Sequence, residues 1–435
     1  MIGGVFRGLD PRRYDRNVRR YILFSIFYFS GFGLFFLLYN LYLLRLGYRE
    51  DFIGQIASMG PLASGLFAIP IGFWSDRIGR GPFLLAAAIL LFLAQLVLCL
   101  STSSALLLVF AFLAGISTSL VFVNHVPFLA ENSSPGDRGR VFAVGYSTQV
   151  LTRMVISVVG GSLPALMASF FGMTTDRPDP FRYVLLLGAG LTMLAAVPLV
   201  RIQHRRSRLP KPTPPPVTPE ERSEVRKVLG LLTVNNAFKG LAGGICFPFF
   251  NVFFQEELLA SVAAIGVIFF CGQATALSST MAVPAISRRY GKIRSLILIR
   301  FLAALALAWL GGVESLVLGA ILYTIFTSFE NANVPVEMAL ATDFVDRRYW
   351  GRVQSLKVTS YQLLSAAGSF WAGRTILGAG YALTFRVGAL CLLGSVIVIL
   401  LGFGGSARKD LLEEEERRAS VHPNASRGPV GGDAG

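Results

Sequence analysis

The stretch GFWSDRIGRG, residues 72–81, is a short polar segment between two long apolar runs. It holds one acid, two arginines and three glycines. Glycine adopts positive φ at little cost, so glycines at this spacing suit a sharp reversal of the chain. The segment therefore predicts a tight turn between two helices at the edge of an apolar layer.

The rest of the chain is too apolar for a soluble protein. Of its 435 residues 53% are hydrophobic and only 15% are charged, whereas soluble domains carry about 25% charged residues. A helix needs about 20 apolar residues to cross a bilayer, and twelve runs approach or exceed that length without the period-two alternation of a membrane barrel. They cover residues 21–44, 52–74, 83–100, 104–130, 141–172, 183–200, 228–254, 262–286, 295–313, 315–342, 353–378 and 380–404. This pattern predicts an all-α membrane protein with 12 transmembrane helices.

The distribution of positive charge predicts the orientation. A net charge of +15 could indicate a nucleic-acid binder, but the bases are concentrated in alternate loops. Thirty of the 40 Lys and Arg residues lie in the segments on one side, against four on the other. Because basic loops stay in the cytoplasm, we expect both termini to be cytoplasmic, in a plasma membrane or bacterial inner membrane. We expect the lipid bilayer, and no nucleic acid, as partner.

The chain divides around a proline-rich polar segment. Residues 205–227 contain RRSRLPKPTPPPVTPEERSEVRK, which predicts a semi-extended cytoplasmic linker. We therefore expect five regions: a basic N-terminus (1–20), a six-helix bundle (21–204), the linker, a second six-helix bundle (228–404) and a cytoplasmic tail (405–435). The tail is expected to be disordered apart from a short helix.

The two bundles repeat each other. SDRIGR starts at Ser75 and SRRYGK at Ser287, an offset of 212. The same offset relates Gly54 to Gly266 and Gly161 to Gly373, while Asn40 matches Asn251 at 211. Six plus six helices in one orientation indicate a parallel internal repeat, with the two bundles pseudo-symmetric about an axis along the membrane normal.

These features resemble the major facilitator superfamily of transporters, over residues 20–404. The loop between its second and third helices reads G-x-x-x-D-R-x-G-R followed by a base, and this chain departs from it only at Gly81. The resemblance implies a cytoplasmic gate in which Asp76 packs near Gly351–Arg352 when that side is closed, and an acid at the end of helix 4 pairs with Arg77 or Arg80. The gate residues implied are Gly72, Asp76, Arg77, Gly79, Arg80 and Glu131.

Three charged residues are predicted to lie near the middle of the membrane: Arg153, Lys239 and Glu330. Each is about 12 to 15 residues into its helix, or roughly 18 to 22 Å from its start. A charge at that depth is costly unless it meets water or a partner, which makes it a functional candidate. The alternative is a Lys239–Glu330 salt bridge that only joins helices 7 and 10. Other bases in the helices, including Arg300 and Lys357, are expected to reach the membrane interface.

The resemblance implies a central cavity lined by helices 1, 4, 7 and 10 and flanked by 2, 5, 8 and 11. Polar residues on these helices are the candidates for binding substrate, because amides facing lipid would be costly. His125 could also carry a coupling proton. The candidates are Asn40, Asn124, His125, Arg153, Asn235, Lys239, Asn251, Glu330 and Asn333.

Together these features predict a monomeric secondary active transporter that moves a small molecule by alternating access, coupled to a proton or another ion. Efflux is favoured over uptake, and the excess of mid-membrane bases favours an anionic or amphiphilic substrate. An uncoupled facilitator and a solute-binding receptor that does not transport remain alternatives. The sequence has no nucleotide loop, nucleophile constellation or metal cluster, so we expect neither an enzyme nor a cofactor or metal.

Overall fold

The computed structural model describes residues 14–134, 136–202, 219–344 and 350–421, and the described chain is nearly all helical. The first six long helices are α1 Arg16–Arg45, α2 Glu50–Ile78, α3 Arg80–Leu100, α4 Ser104–Glu131, α5 Arg138–Phe170 and α6 Asp179–Leu194. A short helix, Ala196–Val200, continues α6. The next four are α7 Pro219–Cys246, α8 Val262–Tyr290, α9 Lys292–Leu310 and α10 Leu316–Phe344. After α7, the turn Phe247–Phe249 leads into a short helix, Phe250–Glu256.

The last helical stretch, Trp350–Val421, contains a break at Gly380, where φ is 79° and ψ is 175°. We name the part before this glycine α11 (350–379) and the part after it α12 (381–421). Ten stretches of the described chain are long and apolar enough to cross a membrane, and one of them, Val353–Gly402, contains this break.

Two helices extend beyond the ranges expected for the bundles. Helix α7 begins at Pro219, so residues 219–227 are helical rather than extended. A proline in the first turn followed by glutamates is typical of a helix start. The helical stretch Trp350–Val421 also runs beyond residue 404, because residues 405–421 are rich in strong helix formers. Residues 1–13, 203–218 and 422–435 lie outside the described chain.

The helices form two bundles, α1–α6 and α7–α12. We call the end where α1 begins and α2 turns into α3 the basic end, and the other the opposite end. At the opposite end one continuous core joins both bundles, with Leu34, Leu41, Phe250 and Phe385 among its buried members. At the basic end the two bundles have separate cores, one around Phe24 and the other around Leu296. The bundles are therefore packed together most extensively at the opposite end.

Candidate functional site

The turn between α2 and α3 depends on one glycine. Gly79 has a φ of 106° and a ψ of 157°, a conformation that residues with a side chain rarely adopt. Gly291, 212 residues later, has a φ of 81° between α8 and α9. The repeat therefore has the same tight turn in both bundles. A Cβ added at Gly72 would meet only Val123, at 3.7 Å, so this structure does not require glycine there.

Arg80, at the first position of α3, is the centre of a polar cluster at the basic end. Its guanidinium pairs with Asp76 and with Glu131, the latter at 3.5 Å. It also donates to the Ser75 hydroxyl at 2.8 Å and to the Asn124 side-chain oxygen at 3.2 Å. Of the two arginines considered for Glu131, Arg80 is the one that contacts it. Asn124, predicted for the cavity, is part of this polar cluster, and its place in a cavity stays a prediction.

The other charged residues of the motif lie towards the surface. The Arg77 guanidinium stacks 4.0 Å from the centre of the Phe73 ring. The Asp76 side chain keeps 44% of its surface exposed. The predicted partner region of Asp76 is Gly351–Arg352, whose side chains lie outside those that the structure describes. The gate contact between them therefore stays a prediction.

A second charged cluster joins α7, α9 and α10 inside the second bundle. The Lys239 ammonium lies 3.0 Å from both carboxylate oxygens of Glu337 and 3.6 Å from Glu330. Glu337 also pairs with Arg300. The predicted contact between Lys239 and Glu330 is therefore present, but Glu337 is the stronger partner. Sequence reasoning omitted Glu337 from the site, although it lies seven residues after Glu330 and so on the same helical face.

The prediction that Arg300 reaches the membrane interface is wrong, because its side chain is fully buried. One guanidinium nitrogen donates to the Asn235 side-chain oxygen at 2.7 Å and to the Ser395 hydroxyl of α12. Its pairing with Glu337 compensates the cost of burying the charge. Lys357 of α11 is half-buried and interacts electrostatically with Glu337. Arg300 thus connects Asn235 and Ser395 in the core of the second bundle to the charged cluster around Lys239.

The two equivalent asparagines join the bundles at the opposite end. The Asn40 side chain of α1 donates to the Pro248 carbonyl at 2.6 Å, and the Asn251 side chain donates to the Leu37 carbonyl at 2.9 Å. Leu37 and Pro248 are themselves 211 residues apart, as are the asparagines. These two candidates therefore make reciprocal contacts between the repeats.

Glycines bring the bundles into close contact on two further pairs of helices. A Cβ at Gly54 of α2 would lie 2.9 Å from the Gly373 Cα of α11, and one at Gly161 of α5 would lie 3.1 Å from the Gly266 Cα of α8. Real side chains do not tolerate the first distance and rarely the second. The four glycines recognised in the repeat thus form the crossing points between the bundles, each meeting the repeat equivalent of the other pair's member.

The remaining candidates differ in their surroundings. One ring nitrogen of His125, Nδ1, lies 3.1 Å from the Phe122 carbonyl of the same helix. Asn333 of α10 is fully buried, and neither polar atom of its side chain has a hydrogen-bond partner in the described chain. The Arg153 Nε is likewise buried without a partner. The Asn235 side-chain oxygen accepts a hydrogen bond from Arg300.

Comparison with known proteins agrees with this arrangement. The family profile described as Major Facilitator Superfamily matches residues 21–369. The chain belongs to the major facilitator superfamily. A curated relative, the MFS-type transporter ppzB of Metarhizium majus (strain ARSEF 297), is 29% identical over 116 residues. This match covers 27% of the chain and spans only 25% of that relative.

Solved structures share the fold of this superfamily member. A mutant of nucleoside transporter NupG aligns with a TM-score of 0.71 at 12% identity, over 89% of this chain and 100% of that one. A bacterial homologue of the human lysosomal transporter Spinster, inward-facing and occupied, aligns with a TM-score of 0.69 at 15% identity, over 91% and 97%. At these identities the likeness concerns the fold. The superfamily consists of transporters rather than enzymes.

Proposed function

We propose that the protein is a monomeric secondary active transporter that carries a small organic solute by alternating access, with efflux favoured. The observation that carries this proposal is the contrast between its two ends, with one shared core at the opposite end and separate cores at the basic end. Mid-helix charges lie on helices of both bundles. Alternating access requires bundles that separate on one side while they stay packed on the other.

The membrane topology of the proposal has twelve spans. The ten apolar stretches omit α10 and include α11 and α12 as one. Leu316–Phe344 has 29 residues, and the break at Gly380 divides the last stretch in two. The basic loops support a cytoplasmic position for the basic end and for both termini, in a plasma membrane or bacterial inner membrane.

The charges within the helices support an anionic or amphiphilic substrate. Lys239 and Arg300 share Glu337, and Glu330 is the second acid near Lys239. The charges of these four residues balance, while Lys357 beside Glu337 and Arg153 of the first bundle add positive charge. A cavity with excess positive charge attracts anions, and the low dielectric strengthens the attraction.

The same cluster supports proton coupling. Lys239 is held at 3.0 Å by Glu337 and only at 3.6 Å by Glu330, whose second oxygen is buried without a partner. Losing the Glu330 contact therefore leaves Lys239 with a carboxylate partner, which makes Glu330 the candidate acid for coupling. His125 is a second candidate, and its Nδ1 lies 3.1 Å from the Phe122 carbonyl.

Two measurements test the proposal. Thermal shift of the purified protein identifies solutes that bind, because a bound ligand stabilises the fold. The screen includes organic anions and, because NupG is a nucleoside transporter, nucleosides. Each hit is then added to liposomes that contain the protein and a pH dye. Solute flux with a pH change supports proton coupling, and flux without one indicates an uncoupled facilitator or another coupling ion. Saturable binding without flux indicates a receptor.

A further inference from the structure

Arg153 lies on the face of α5 that meets the other bundle. Ser157, one turn further, accepts a hydrogen bond from Gln273 of α8 at 3.1 Å. Gly161, another turn on, crosses Gly266 of α8. Residues four apart share a helical face, so Arg153 continues this stripe towards the basic end.

The exposed apolar residues of α5 agree with this orientation of Arg153 towards the other bundle. Leu151, Val155 and Val159 are 47%, 57% and 47% exposed. At 100° per residue they lie on the side of α5 away from Arg153. The arginine therefore faces the space between the bundles rather than lipid.

The guanidinium of Arg153 is unpaired in the described chain. No carboxylate there forms an ion pair with it, and its Nε is buried without a hydrogen-bond partner. By contrast, the cations Lys239 and Arg300 are both paired with Glu337. A cation this far into a membrane helix, half-buried and with a buried Nε that has no partner, is costly unless it meets water or a ligand, which makes it a candidate for binding one.

The neighbourhood of Arg153 offers one further donor and an apolar wall. Tyr146, seven residues earlier on the same face, is 52% exposed and interacts electrostatically with Arg153. Gly33 of α1 packs on Ile156 of α5, which places α1 beside this face. Phe36 lies one turn from Gly33, stacks with Phe32 and contacts Phe269 across the bundles, with 51% of its surface exposed.

We infer that Arg153 binds the acidic group of the substrate, and that this substrate is a small organic anion with a ring-sized apolar body. The carboxylate or phosphate lies on the guanidinium, with the Tyr146 hydroxyl as a second donor. The apolar body packs against Phe32 and Phe36. This inference rests on the proposed transport function and names its substrate class.

The test measures the binding of three matched compounds to the purified full chain: 1-naphthoate, 1-naphthyl phosphate and the neutral 1-naphthamide. The wild type should bind at least one anion more tightly than the amide. Arg153→Gln should weaken anion binding by roughly tenfold or more, because it removes a charge-assisted hydrogen bond. Arg153→Lys, which keeps the charge, should weaken it less. The stronger anion identifies the acidic group.

Arg374→Gln is the matched control, because Arg374 is an exposed base whose guanidinium stacks on Phe370 of the same helix. It should leave binding unchanged. Equal binding of anions and amide, no binding of either anion, or equal effects of the two glutamine variants would each overturn the inference. A fall in the melting temperature of ligand-free Arg153→Gln would also overturn it, because the arginine would then be holding the fold.

Flux of the same compounds into liposomes separates this inference from the proposed function. Arg153-dependent binding of naphthoate without any flux would refute transport and leave the anion site intact. Flux of naphthamide above that into protein-free liposomes, without flux of either anion, would refute the anion site and leave transport intact.

Discussion

Glu337→Gln should destabilise the protein more than any other single change among its mid-helix acids. The substitution keeps the shape of the side chain but removes the charge that holds two cations. Lys239 and Arg300 would lose the negative charge that they share, and the amide offers one acceptor oxygen where the carboxylate offered two. Glu330 of the same helix provides the matched comparison, because within the described chain its ion pair is with Lys239 alone, at 3.6 Å.

The magnitude follows from the burial of the cations. Arg300 is fully buried and Lys239 is 6% exposed, so neither can turn to water when the acid is lost. Removing one partner of a buried ion pair costs about 3–5 kcal/mol, because the other charge is left uncompensated. Glu330→Gln leaves Lys239 paired with Glu337. The substitution should therefore lower the free energy of unfolding by only about 1 kcal/mol, as for a weak ion pair.

The assay compares the unfolding of purified variants in one detergent, by thermal melting and by titration with denaturant. The double variant Glu337→Gln/Arg300→Gln should recover part of the loss, because it removes the buried cation together with its partner, and a double-mutant cycle measures this coupling. If Glu330→Gln is as destabilising as Glu337→Gln, or if the double variant recovers nothing, Glu337 is not the acid that holds this cluster.

Three further predictions use controls within the same segments. Gly373→Ala places a Cβ against the Glu50 carbonyl and should push the bundles apart at the opposite end, whereas Gly378→Ala meets nothing within 4 Å. The distance between spin labels at residues 49 and 257 should lengthen only for the first variant. Gly79→Ala forces a side chain into a φ of 106° and should lower stability by about 1–3 kcal/mol. Gly72→Ala, with its nearest atom at 3.7 Å, should melt like the wild type. Asp76→Asn should slow solute flux while changing stability by less than about 1 kcal/mol, because Arg80 keeps Glu131; flux equal to wild type would remove Asp76 from the gate.

The fold could be predicted from the sequence because membrane spans, basic loops and the repeat are all linear patterns. Apolar length and the positive-inside bias depend only on local composition. Helix ends are less visible from composition, which is why α7 begins earlier and the last helical stretch ends later than predicted. Strong helix formers extend both helices into polar segments that cannot cross the membrane.

The partners of the buried charges could be predicted only in part. Arg300 lies eight residues after the start of α9. A side chain at that depth can either be buried inside the bundle or reach the membrane interface. Its burial depends on how α9 packs against α10 and α12, which no linear pattern reveals. The spacing of Glu330 and Glu337 did contain a usable signal, since two acids seven residues apart share a face of α10. Counting acids and bases on facing helices would have placed Glu337 beside Lys239.

The reciprocal contacts at the opposite end constrain how the bundles can move. Gly54 meets Gly373, and adding or subtracting 212 converts this pair into Gly266 and Gly161, which also meet. In a two-fold arrangement a contact between sites i and j implies one between j and i. Suppose that the bundles rotate and keep their two-fold relation. A rotation that separates one of the two glycine contacts must then separate the other as well. Widening either crossing should thus open the same side of the protein, so an alanine at Gly54, Gly161 or Gly266 should act in the same direction as one at Gly373.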